Sequence, residues 1–124
     1  MIFGELLTSS SYDDSIERTT GSRNGIGSKA CNIFSKKFIV DIDDVKNKKR
    51  FSQSWENNMS IINDPIITKL PSSIKNSSIK ITFYPDCERF YLEDGLDDNH
   101  YNLFYKRAYD IAGTTTNKVK IFFG

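Results

Sequence analysis

Ile26, Ala30, Ile33 and Phe34 recur at the spacing of one helix face, which predicts a helix over about 25–35 with those residues as its buried stripe. Apolar and polar residues then alternate in part over 37–42 and again over 50–56, the pattern of half-buried strands. Asn47 and its lysine neighbours supply a turn between them, and Trp55 reads as a core or sheet-face residue. Pro65 and Pro71 bracket Ile66 and Ile67, an edge-like segment. Alternation returns over 77–84, with Ile79, Ile81 and Phe83 on one face. Residues 86–90 read as a turn into a short helix. Leu103, Tyr105, Ala108 and Ile111 give helical spacing over 96–111, Gly113 is placed to stop that helix, and 118–123 reads as a closing strand. At the other end, Phe3, Leu6 and Leu7 suggest the end of a helix, and Thr8 opens a long polar stretch. A loop of that length is functional or mobile in most compact domains; the plain alternative is a flexible connection. Hairpin-type strand pairs plus helices predict an antiparallel-rich α+β layer structure, with helices on one sheet face.

The polar stretch passes directly into the first helix through TGSRNGIGSKACNIFS (20–35). Gly25 and Gly27 lack the Cβ atoms that would hold the backbone away from an anion. A helix start offers unpaired N–H groups and a partial positive charge, and Lys29 adds a cation one turn in. Together these are the parts of a phosphate cradle. The GxxxxGK[ST] spacing of a Walker loop fails, because Lys29 follows Ser28. Gly25, Gly27 and Ala30 fit G-x-G-x-x-A, but a dinucleotide fingerprint needs a buried strand before it, and the polar residues 9–20 cannot form one. Spacing alone also fits a surface loop with a glycine-rich helix start and no ligand.

With 124 residues the chain amounts to one domain or part of one. Hydrophobic content of 38% and aromatic content of 13% exclude a disordered segment. A formal charge of +1 leaves no overall basic footprint for a nucleic acid. Lys46, Lys48, Lys49 and Arg50 form a local basic cluster that reads as a solvated hairpin turn, with Asp41, Asp43 and Asp44 largely cancelling its field. Cys31 and Cys87 lack metal-ligand spacing and fit a reducing compartment. Cys31 falls within the helix pattern as a small apolar residue. His100, the lone histidine, stands in a polar stretch and suits a helix start or the surface. No segment is long and apolar enough to cross a membrane as a helix, and the start carries no signal-peptide pattern.

The wording is more specific than the spacing. FGELLTSSSYDD (3–14) followed by TGSRNGIGSKACNIFS resembles the ATPase region of eukaryotic-type DNA topoisomerase II. WENNMS (55–60) and KRAYDIAGTTTNKVKIFF (106–123) are similar to the same family further along, in family order. The resemblance implies a two-layer α/β sandwich of the Bergerat type, with residues 1–124 as one part of that ATPase domain. It makes the polar stretch an ATP lid. It implies nucleotide contacts from Ser9, Ser10 and Ser11, and a phosphate-binding turn made of Ser22, Arg23, Asn24, Gly25, Ile26, Gly27, Ser28 and Lys29. The family usually has asparagine at Ser11, glycine at Ser22 and an aromatic residue at Ile26.

The same resemblance implies a parent enzyme that hydrolyses ATP to pass one DNA duplex through another. ATP and magnesium are its cofactors, DNA and a second copy its partners, and no membrane is involved. The nucleus is the expected location, or a viral or cytoplasmic one for a viral source. The family's glutamate general base, magnesium-binding asparagine, adenine-reading aspartate, transducer lysine and DNA-cleaving tyrosine have no matching positions here. The segment by itself is therefore expected to lack ATPase activity. Two alternatives stand beside this reading: a non-catalytic nucleotide-binding or interaction remnant, and a gyrase-type or MutL-type ATPase of the same superfamily. Trp55 and the Tyr109-Asp110-Ile111 block argue against the latter.

Overall fold

The computed structural model describes residues 3–5 and 25–124. The chain divides into two compact units, Met1–Asp86 and Cys87–Gly124.

The first unit is built on one antiparallel sheet. Helix α1 (Gly27–Ile33) leads into β1 (Ser35–Asp44), β2 (Lys49–Glu56), the two-residue β3 (Ile61–Ile62), β4 (Ile66–Lys69) and β5 (Ser78–Pro85). β1 is central, pairing with β2 on one side and β5 on the other; β3 and β4 both pair with β2. Directly opposed residues share a sheet face. Phe38 faces Trp55 and Phe83, Val40 faces Gln53 and Ile81, and Ile42 faces Phe51 and Ile79. The alternation expected over 37–42, 50–56 and 77–84 is therefore present, and it builds one apolar face. Phe38, Val40 and Trp55 are its buried core, with Phe3, Cys31, Ile42 and Met59 around them. Phe38 and Trp55 meet edge to face with ring centroids 6.0 Å apart. The opposite face is polar. Lys37 pairs with Glu56 at 3.0 Å, Ser52 donates to Asp41 at 2.6 Å, and Arg50 grips both Asp43 oxygens at 2.6 and 2.8 Å.

Helix α1 lies against β1 and β5. Its phase differs from the stripe the sequence predicts. Ile26 is 50% exposed and Phe34 is 37% exposed, whereas Lys29 and Asn32 are buried. The burial is polar because the side chains have polar work: Lys29 Nζ donates to the Gly25 carbonyl, and Asn32 Nδ2 to the Phe3 carbonyl. The strand β3 has no counterpart in the sequence reading; two residues are too few for alternation to register.

The second unit holds a short 3-10 turn (Glu88–Phe90) and helix α2 (Asp98–Thr114). Asp97 caps α2 by accepting from His100 N–H at 3.0 Å, and its carboxylate also meets the His100 ring at 2.6 Å. His100 thus sits at a helix start, as expected. Gly113 does not stop α2, which continues through Thr114. The hydroxyls of Thr114 and Thr115 instead bond the Asp110 and Ile111 carbonyls and close the helix end. Residues 118–123 form no strand. Phe123 leans on Tyr101 and Tyr105 of α2, with centroids 5.1 and 5.5 Å away, so this apolar segment finds aromatic partners rather than a ladder.

Candidate functional site

The glycine turn is described from Gly25 onward. Ser9, Ser10, Ser11, Ser22, Arg23 and Asn24 lie outside the described residues. Gly25 adopts a left-handed conformation, φ +62°, which a glycine reaches without strain. Gly27 opens α1, and among the described residues a Cβ placed on it would meet nothing within 4 Å. The N-cap residue of α1, Ile26, makes no side-chain cap. Ser28 is half-buried and Ile26 half-exposed.

Lys29 is the one buried residue in the described part of the turn. It is 1% exposed, and its Nζ lies 2.8 Å from the Gly25 carbonyl oxygen. A solvated helix-surface lysine is excluded. In a planar trans peptide the carbonyl and the following N–H point opposite ways. Lys29 therefore turns the Ile26 N–H away from itself. The remaining Nζ protons have no acceptor among the described residues. Among the described residues that one neutral carbonyl is the ammonium's only partner, and an anion brought beside it would add compensation.

A second cluster fixes the other end of α1. Asn57, Asn58 and Met59 all have positive φ, +50°, +57° and +65°. The chain leaving β2 thereby curls back beneath the helix. Asn57 N–H donates to Lys36 O at 2.8 Å and Asn58 N–H to Ser35 O at 3.0 Å. The Asn58 amide donates to Ile33 O at 2.9 Å and to Asp86 Oδ2 at 3.0 Å. Asp86 is buried, its N–H donates to Phe34 O at 2.9 Å, and Lys36 Nζ approaches its other oxygen at 3.1 Å. Asn58 and Asp86 thus tie the α1 end to β2 and to the end of β5. Sequence reasoning missed both. The Asn57-Asn58 doublet just after a strand was the available signal, since asparagine tolerates left-handed backbone.

Asn32 Oδ1 and Gln53 Oε1 are buried without a partner among the described residues. Cys31 is half-buried; burial pushes its thiol pKa up, against the lowering by Ser35, so it is a poor nucleophile. Among the described residues no group of three His, Cys, Asp or Glu side chains could hold a metal ion. Nor is any helix among them long and apolar enough to cross a membrane.

No family model matches the chain. It is 46% identical to DNA topoisomerase 2 of Plasmodium falciparum over 96% of its own length and 8% of that protein's. It is 52% identical to the probable DNA topoisomerase 2 of Dictyostelium discoideum over 91% of its length and 7% of that protein's. Among solved structures, the ATPase region of Saccharomyces cerevisiae topoisomerase II superposes with a TM-score of 0.84 at 45% identity, covering 94% of this chain and 30% of that one. The chain spans less than a tenth of the length of these curated relatives. Identity at this level along nearly the whole chain, joined to a matching antiparallel α+β backbone, leads to one conclusion: by sequence and fold the chain belongs to the eukaryotic DNA topoisomerase 2 family, as a homologue of part of its ATPase region.

Proposed function

We propose that this chain is part of the ATPase domain of a type II DNA topoisomerase and supplies its ATP lid and phosphate-binding turn. Ser9, Ser10 and Ser11 would meet the nucleotide, and Ser22, Arg23, Asn24, Gly25, Ile26, Gly27, Ser28 and Lys29 would enclose its phosphates. The observation that carries this reading is Lys29: a buried ammonium on the Gly25 carbonyl, with no other acceptor and open space at the Gly27 helix start among the described residues. Those residues fit a triphosphate.

ATP would supply the free energy for DNA strand passage in the parent enzyme, and magnesium would neutralise phosphate charge through ligands outside this segment. The chain's own part is binding and orientation. Gly25 and Gly27 allow the backbone to approach, α1 presents unpaired N–H groups, and Lys29 adds positive charge. The parent would act as a homodimer in the nucleus. The 124-residue chain by itself would turn over no ATP, because no residue matches the general base.

The full-length gene product tests the reading. It should relax supercoiled DNA only when ATP and magnesium are both present. Relaxation that is indifferent to ATP, or none at all from a folded product that hydrolyses ATP, would contradict it.

A further inference from the structure

At the far end of the sheet, the β1–β2 hairpin and the loop after β4 flank an open cavity of about 560 Å³. That volume suits a ligand rather than a packing gap, since ligand pockets run from about 300 to 1,000 Å³. Val45, Leu70, Pro71 and Ile74 supply its apolar lining, with Leu70 6% exposed. Lys48, Lys69, Ser72 and Lys75 complete it, and among the described residues no carboxylate lines it. The walls are pinned in place. Leu70 N–H donates to Lys48 O at 3.0 Å, Ile74 N–H to Pro71 O at 3.1 Å, and Val45 N–H to Ser77 Oγ at 3.0 Å.

Two features here oppose stability. Lys49 and Lys69 stand directly opposite each other across β2 and β4, and like charges so placed repel. Lys48 holds a left-handed backbone, φ +53°, where a residue with a Cβ is disfavoured. Of the carboxylates at this end, Asp43 is paired with Arg50, and Asp44 accepts from the backbone and side chain of neutral Asn47; neither lines the cavity. Among the described residues the charge of the lining itself is therefore positive, carried by Lys48, Lys69 and Lys75.

We propose that this cavity is a docking site for an acidic peptide segment, with an apolar side chain seated against Leu70 and Ile74 and flanking carboxylates on Lys48, Lys69 and Lys75. Charge complementarity selects the sign of the partner. The apolar lining selects a peptide over a nucleic-acid backbone, which has no hydrophobic side chain to place there. The site is independent of the glycine turn.

The test uses a fluorescein-labelled peptide, Glu-Asp-Leu-Phe-Asp-Glu, titrated with the purified chain and followed by anisotropy. Saturable binding is expected, weakened about tenfold or more by Lys69→Gln with Lys75→Gln, and by Ile74→Ser, as for residues central to an interface. Lys69 and Lys75 are exposed, so their substitution should leave the fold intact, and unchanged Trp55 emission checks that for all three substitutions. Absence of saturable binding to the wild-type chain would overturn the proposal. So would equal binding of a peptide with Ser-Ser in place of Leu-Phe, binding that ignores the substitutions, or tighter binding of a labelled DNA duplex through the same lysines.

Discussion

Lys29 Nζ sits 2.8 Å from the carbonyl oxygen of Gly25, and both residues belong to the turn proposed to hold phosphate. The contact closes a loop of one helical turn around the start of α1. It also buries a cation where an anion is expected. Position and charge are thus coupled in one side chain.

Lys29→Met keeps the buried volume while removing the charge, so the fold should survive. ATP affinity of the full-length product should fall by about 1.5–3 kcal/mol, the worth of a charge-assisted bond, which is roughly tenfold or more. ADP should be affected less, provided Lys29 reaches the terminal phosphate. Titrating both nucleotides against both proteins measures this. Equal losses would remove the terminal-phosphate role, and no loss for either would remove Lys29 from the site.

Gly27→Val places a branched side chain in the open space beside the helix start. Among the described residues nothing lies within 4 Å of a Cβ there, so thermal stability should change little. A fluorescent ATP analogue should bind the variant far more weakly than wild type. Wild-type affinity would show that the phosphates do not approach this position.

Asn57 and Asn58 share a left-handed backbone but not a role. Glycine at either position relieves the backbone. Only Asn58→Gly deletes the donors to Ile33 O and Asp86 Oδ2, so the buried Asp86 carboxylate loses one hydrogen bond. Urea unfolding should therefore show Asn57→Gly near wild type and Asn58→Gly destabilised by about 1–3 kcal/mol. Similar losses at both positions would refute the assigned difference.

Arg50 holds the Asp43 carboxyl below the usual carboxylate range, first through its hydrogen bonds and then through its charge. The folded pKa is depressed, so the pair's contribution is present above the unfolded value of about 3.9 and is lost as pH falls through the folded value. The stability gap between wild type and Arg50→Gln should be present at neutral pH and close in acid. A gap that persists or widens in acid would show that the pair does not act through Asp43 ionisation.

The sheet was legible because its chemistry alternates. Phe38, Val40 and Trp55 fall on one face and Asp41, Asp43 and Arg50 on the other, and period two needs no tertiary knowledge. The phase of α1 was not legible, because Lys29 and Asn32 are buried by hydrogen bonds to Gly25 and Phe3 rather than by hydrophobicity. Gly113 and residues 118–123 misled for a related reason. Threonine hydroxyls ended α2, and Tyr101 and Tyr105 took Phe123, both choices made by partners that periodicity does not reveal. At the turn, glycine spacing was visible at Gly25 and Gly27, and the Asn58–Asp86 tie depends on residues 28 positions apart.

A structure of the full-length gene product with a non-hydrolysable ATP analogue tests the central claim most directly. The account predicts phosphate oxygens within hydrogen-bond reach of the Gly25–Ser28 backbone and of Lys29 Nζ. A nucleotide whose phosphates lie against another segment, with Lys29 still confined to the Gly25 carbonyl, would contradict it.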